Sequence, residues 1–293
     1  MLELDIIPSS QNLVSPFITI SEISIIIPVK DNQLGIDLFL NSFFNNQEQN
    51  NYPKEIIIVD NNSNPPIKIN KKHSNYKIPI VLLLCCKPGP AAARNLGAKY
   101  AVGNWLLFTD SDCIPTKTFL TGYLNNNNGS IAYAGNIKAL GKNRLSEFYD
   151  RYQILIPQCI DKKYLPKYTT TANTIIWKKS FEKVSGFKES FRIAGGEDVD
   201  LGKRLWEHGK LSFALDSIVL HNFDNGWWGF IKRFIRYGKG ERIIEEEWKV
   251  NRKPNLIHLK RKTLFDFKIT ILWFLCERVG YYLESSKLRK LKK

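Results

Sequence analysis

Apolar runs and helical spacings alternate along most of the chain. "SEISIIIPVK" carries an apolar, β-branched run from Ile23 to Val29, which includes Pro28 and is closed by charge, and this predicts a strand buried on both faces. "LGIDLFLNSFF" follows with the spacing of an amphipathic helix, "EIIIVD" is a second short strand ending on Asp60, and "IPIVLLLCC" is a third. "GPAAARNLGAKYAVG" sets helix-forming alanines between glycines, and "NWLLFTD" is a fourth strand. Strand, helix, strand, then strand, helix, strand predicts an α/β domain with a mostly parallel central sheet flanked by helices.

Past Asp112 the pattern predicts a helix over Lys117 to Leu124, a strand near "SIAYAGNIKA", and an irregular stretch through Pro166. It resumes with a strand in "TTTANTIIWKK", a short helix in "EDVDLGKRLWEHG" and one or two strands in "KLSFALDSIVLHNF". From Gly226 the sequence turns basic and aromatic with helical periodicity. This divides the chain into residues 1–225, the expected catalytic domain, and residues 226–293, a helical extension. The clusters "NNQEQNN" and "NNNNGS" read as solvated loops.

At 293 residues and 43% hydrophobic content, the chain can fill the core of one large domain with an appendage, which excludes a disordered protein. The five cysteines, Cys85, Cys86, Cys113, Cys159 and Cys276, contain no C-x-x-C pair and read as buried thiols of a reducing compartment. "MLELDIIPSS" has acids where a signal peptide needs a basic region, and no charge-free apolar run approaches the ~20 residues of a membrane span. A soluble, cytoplasmic catalytic part is therefore expected. The net charge of +15 is uneven, with 18 Lys and Arg against 7 Asp and Glu from Gly226 onward. Such a basic segment suits nucleic acid, acidic lipid or plain solubility.

Against that basic background, the acids at element ends stand out. Two D-x-D pairs occur, Asp110-Ser111-Asp112 and Asp198-Val199-Asp200, and spacing alone carries little information. Context separates them. Asp110 and Asp112 follow an apolar strand, and the carboxyl ends of strands in an open α/β sheet form the ligand crevice. Carboxylates there can hold a hard divalent ion; the alternative is a turn in which Asp110 and Ser111 cap the next helix. Asp60 ends another strand, where it can accept hydrogen bonds from a base or ribose or close an Asx-turn in "DNNSN". Arg94 and Asn95 lie in a helix whose start at Gly89 and Pro90 suits an anion. Glu197 and Asp198 occupy the first turn of a helix after two glycines, where the dipole favours acids and a carboxylate can serve as a general base. Asp200 and Arg204 form a simple i,i+4 pair. His221 ends a strand, either as a satisfied structural histidine or as a metal ligand.

The order "SIIIPVKD", "IIIVDNNS", "GPAAARNLGAKYAVGNWLLFTDSDCIP", "GGEDVDLGKRL" and a late histidine resembles the family 2 glycosyltransferases over about Ser24 to His221. The resemblance implies the GT-A fold with a Rossmann-like nucleotide-binding half, and inverting transfer of a sugar from a nucleotide-sugar donor to a hydroxyl acceptor. It also implies a divalent metal, Mn²⁺ or Mg²⁺. By that resemblance Pro28 and Asp31 lie by the nucleotide, Asp60 and Asn62 hold it, and Arg94 and Asn95 stand beside ribose and diphosphate. Asp110 and Ser111 face the ribose or sugar. Asp112, with Asp110 and His221, binds the metal. Asp198 is the base, supported by Glu197. The sequence departs from the family pattern at Asp31, commonly Asn, and in "NNSNPP", which replaces a frequent Ser-Thr-Asp ending. A processive Q-x-x-R-W motif is missing, so transfer of single sugars is expected, with a UDP-sugar favoured.

Two other readings remain: a sugar-phosphate nucleotidyltransferase, which needs a glycine-rich loop that "PVKDNQLG" does not supply, and a basic nucleic-acid-binding protein, whose polyanion the acidic rim would repel. In the tail, "GWWGFIKRFIRYGKGERIIEEEW" puts Trp227, Ile231, Phe234 and Ile235 on one helical face, with Lys232, Arg233, Arg236 and Lys239 largely elsewhere. Residues 226–293 are expected to pack on the catalytic domain, to join two copies as a homodimer, or to lie on an anionic membrane surface with a lipid-linked acceptor. The last case makes the protein peripheral at the inner face of the membrane.

Overall fold

The structure is a computed structural model describing residues 13–47, 51–70, 77–157, 159–160, 165–223, 226–250 and 263–291. Its strands are β1 (Ile23–Val29), β2 (Glu55–Asp60), β3 (Ile80–Leu84), β4 (Trp105–Thr109), β5 (Cys113–Pro115), β6 (Ala132–Leu140), β7 (Cys159–Ile160), β8 (Leu165–Pro166), β9 (Asn173–Trp177) and β10 (Leu211–Asn222). Its helices are α1 (Gln33–Asn46), α2 (Pro90–Tyr100), α3 (Thr121–Asn125), α4 (Arg144–Arg151), α5 (Lys178–Lys183), α6 (Glu197–Trp206), α7 (Gly226–Trp248) and α8 (Leu264–Leu291).

Eight strands form one sheet in the order β3-β2-β1-β4-β9-β6-β10-β5. The half from β3 to β4 is parallel, as the apolar runs predicted, while β9 is antiparallel to both β4 and β6, and β5 to β10. The sheet is thus mixed. Strand alternation sorts β1 between two cores: Ile23, Ile25 and Ile27 meet Phe39 and Phe43 of α1, while Ile26 faces the alanines of α2. Burial on both faces is why these strands read as continuous apolar runs.

Several elements differ from expectation. α4 and α5 lie where no helix was predicted, since each spans barely two turns and gives little periodicity. The predicted helix from Lys117 shrinks to Thr121–Asn125. "KLSFALDSIVLHNF" is one strand whose register shifts between Ala214 and Ile218. There Asn173 donates to the carbonyls of Asn136 and Ser217, 3.0 and 2.9 Å away, groups the irregular ladder would otherwise leave buried. Cys85, Cys113 and Cys276 are buried thiols as expected, whereas Cys86 and Cys159 are exposed.

α7 and α8 run side by side in the same direction, because their contacts advance together: Trp227 with Phe265, Phe234 with Trp273, and Glu245 with Tyr281. Gly238 abuts the Glu277 carbonyl and Gly280 the Ile235 carbonyl, and a methyl group at either would collide with backbone. The buried face of α7 runs through Phe230, Phe234 and Ile244, while Trp227 is 48% exposed. This corrects the expected face, which began at Trp227. With α4 and Phe223 these helices form a third core against the sheet. No described helix is long and apolar enough to cross a membrane.

Candidate active site

Parallel pairing of β1 with β2 and β4 brings their carboxyl ends to one rim, and with them Asp31, Asp60 and Asp110. β10 ends on the same rim, where His221 pairs with Cys113 of β5 and so stands beside Asp112. Two cavities open there. The larger, about 830 Å³, is lined by Pro28, Lys30, Asn61, Gly89, Ser111, Asp112, His221 and, from α7, Trp228, Lys232 and Arg233. The second, about 420 Å³, is lined by Glu197, Asp198, Thr170, Tyr237, Glu241 and Trp273. Arg94, Asp110, Ala194, His221, Arg233 and Arg236 border both.

Arg94 joins the rim to helix α6. The residue is 2% exposed, and its guanidinium donates to Glu197 at 2.9 Å and to Asp110 at 2.8 Å. Burial opposes its charge, but the two carboxylates outweigh burial and hold it more firmly protonated than usual. Burial likewise opposes the charge of Asp110, and Arg94 outweighs it, so this carboxyl stays below its ordinary range. The sequence placed Arg94 at the diphosphate; the structure commits two of its nitrogens to the protein's own acids.

Glu197 and Asp198 begin α6 after Gly195 and Gly196, whose φ of 152° and 95° only glycine adopts readily. Glu197 turns inward, accepting from Arg94 and from the Gly195 N–H at 2.6 Å. Asp198 turns to the second cavity. Burial, then the neighbouring Glu197 charge, pushes its carboxyl up to about 7. At that value the carboxyl is only partly ionised at neutral pH. Asp200 does neither job: it is buried, accepts from Arg204 and from the Trp248 indole at 3.0 Å, and pairs with Lys188 at 3.3 Å.

Asp112 and His221 face each other with Oδ1 and Nε2 3.5 Å apart. The other ring nitrogen, Nδ1, lies 3.1 Å from the Asn222 carbonyl, which only accepts. A neutral ring therefore carries its proton on Nδ1 and presents a lone pair on Nε2. Burial favours that neutral form against the pull of Asp112. His221 also stacks on Phe223, which stacks on Tyr149, and Arg233 covers Phe223 at 5.1 Å. Cys113 completes a group whose ligand atoms lie within 4.8 Å of one another, but burial pushes its thiol well up, so it stays protonated. A carboxylate and a neutral imidazole with the tautomer fixed fit a divalent ion such as Mn²⁺.

Asp31, Asp60, Asn62 and Asn95 line neither cavity. Asp60 is buried and accepts from the Ser63 and Ile67 N–H groups, the turn-closing role the sequence had left open. Burial opposes its charge, and these bonds hold its carboxyl low. Asp31 accepts from the Asn64 N–H, and Asn62 is exposed; both have positive φ. Asn95 is turned to the loop before α6, bonding both the N–H and the carbonyl of Phe187 and the Glu189 carboxylate. The Gly89 N–H, read as open to an anion, is taken by Asn61 at 2.9 Å. Sequence reasoning missed Asn61, whose amide also braces the carbonyls of Cys85 and Lys87, and Arg233 and Arg236 of α7. The adjacent "NN" in "VDNNS" marks a turn without saying which asparagine faces inward.

Comparison with known proteins accounts for this layout. The profile of an N-terminal domain of galactosyltransferase matches residues 156–222. A glycosyltransferase of Haloferax volcanii, AglE, is 29% identical over 283 residues, covering 93% of this chain and 86% of its own length. Among solved structures, a Pyrobaculum calidifontis mannosyltransferase in complex with GDP-Man and Mn²⁺ superposes with a TM-score of 0.59 at 13% identity, over 94% of this chain and 77% of the other. S. aureus TarS residues 1–349, in complex with UDP-GlcNAc, gives 0.54 at 15% identity, over 92% of each chain. These likenesses establish a GT-A fold. The profile of glycosyl transferase family 2 matches residues 24–186, more than half of the sequence, and the chain belongs to that family of glycosyltransferases.

Proposed function

We propose that the protein moves one sugar from a nucleotide-sugar donor, a UDP-sugar favoured, to a hydroxyl acceptor, inverting the anomeric carbon. The acceptor is lipid-linked or part of a cell-surface glycan. The observation that carries this reading is the pair of cavities that meet at Arg94 and Asp110, with Asp112 and His221 on the larger and Asp198 on the smaller. The larger has room for a nucleotide sugar, and solved relatives of this fold hold GDP-Man with Mn²⁺ or UDP-GlcNAc.

In this reading Asp112 and His221 hold the metal, which when bound offsets charge on the donor diphosphate. Arg233 and Arg236, which border both cavities, add fixed positive charge to this site. The acceptor enters the smaller cavity with its hydroxyl toward Asp198. Its oxygen bonds to the anomeric carbon as the bond to the β-phosphate oxygen breaks and takes its electron pair to the nucleoside diphosphate. The hydroxyl proton passes to Asp198, whose carboxyl, near 7, is matched to that transfer at neutral pH. Glu197, fixed by Arg94 and Gly195, keeps the turn in place. One displacement inverts configuration.

Calorimetric titration with UDP- and GDP-sugars, with and without Mn²⁺, tests this. One nucleotide class should bind, more tightly with Mn²⁺, and Asp112→Asn should remove at least about tenfold of the Mn²⁺ effect. Binding of none, or binding indifferent to both changes, would sink the proposal.

A further inference from the structure

Helix α8 turns an apolar stripe away from the rest of the protein. Phe267, Ile271, Leu275, Val279, Tyr282 and Leu283 recur every three or four residues and are 38% to 66% exposed. The helix spans 28 residues, about 42 Å. Its charges are segregated. Asp266 is held by Arg151 and Tyr152, Glu277 accepts from the Trp273 indole, and Glu284 is 7% exposed beside Lys287. The exposed positions carry only cations: Lys268 near the start, and Lys287, Arg289 and Lys290 at the end. At its N-terminal end the stripe adjoins α7, where Trp227 packs on Phe265 and Trp228, 72% exposed, is among the residues lining the larger cavity.

We infer that this face of α8, with the tryptophans of α7, docks on an anionic lipid bilayer, the helix lying in the plane of the interface. An apolar stripe flanked by cations, with no acid presented, is complementary to hydrocarbon beneath acidic headgroups. Exposed Trp residues at the same edge suit headgroup depth. A second copy of the chain is a poorer occupant: both ends of the stripe are cationic, so parallel or antiparallel self-pairing sets like charges together. Docking this way sets Trp228, which lines the larger cavity, toward the membrane surface. The inference goes beyond the transfer reaction and does not depend on it.

Sedimentation of the full chain with phosphatidylcholine vesicles, and with equimolar phosphatidylcholine–phosphatidylserine vesicles, tests the inference. The protein should pellet with the acidic vesicles at low salt and remain in solution with the neutral ones. Replacing Lys268, Arg289 and Lys290 by Glu should cut the partition coefficient at least about fivefold per cation. Leu275→Glu with Val279→Glu should lower it at least about tenfold, with an unchanged circular dichroism spectrum as the check on folding. The inference is overturned if the wild type stays in solution with acidic vesicles, or if both variants pellet like the wild type. It is equally overturned if light scattering shows a dimer that Leu275→Glu with Val279→Glu dissociates.

Discussion

Asp198 and Asp200 share one helical turn and have opposite surroundings. Asp200 is saturated by Arg204, Lys188 and Trp248, while Asp198 accepts only from its neighbour Val199 among the described bonds and faces a cavity. The D-x-D spacing could not separate them, because its meaning lies in what each carboxylate meets across the fold. If Asp198 is the base, only its ionised form works. Since its carboxyl is raised to about 7, kcat/KM should fall about tenfold per unit as pH drops below that value. A profile flat from pH 5 to 8 would deny it that role. Arg94 is a matching test of stability. Arg94→Met takes from buried Glu197 its one ion pair among the described residues and should cost about 3–5 kcal/mol in urea denaturation, with Arg94→Lys intermediate. The rim positions of Asp110, Asp112, Asp198 and His221 were legible because each lies at or just past the end of an apolar strand or in the first turn of a helix. Asn95 was misplaced because adjacent helical residues point in different directions.

At the scale of elements, α7 is built into the site. Its Gly240 lies against the Gly195 carbonyl, so the glycine turn bearing Glu197 and Asp198 rests directly on helix backbone. Gly240→Ala would force the two apart. It should lower stability by about 1–3 kcal/mol and reduce kcat, measured by thermal melting and by transfer assay. A loss of stability with kcat intact would mean that the turn tolerates the shift. Arg236 lines both cavities, and one nitrogen, Nε, is buried with no hydrogen-bond partner among the described residues. Arg236→Ala should weaken donor binding about tenfold or more by calorimetry. The strands of the first half were legible from their apolar runs, whereas α4 and α5 are held by packing against aromatic clusters from distant parts of the chain.

Across the whole molecule, strand order places the chemistry. Parallel pairing gathers the ends of β1, β2 and β4, and the antiparallel β9 and β5 carry β10 round so that His221 meets Asp112. The order of motifs announced the fold and the rim. It could not show that basic residues of the extension would close the cleft, since the charges of "IKRFIRYGK" look the same whether they face solvent or a cavity. The central claim is that donor and acceptor meet between the two cavities with Asp198 taking the acceptor proton. The most direct measurement compares the wild type with Asp198→Asn for donor binding by calorimetry and for sugar transfer by product analysis. The account predicts wild-type donor affinity with transfer reduced at least about a hundredfold. Transfer at the wild-type rate in Asp198→Asn would contradict it.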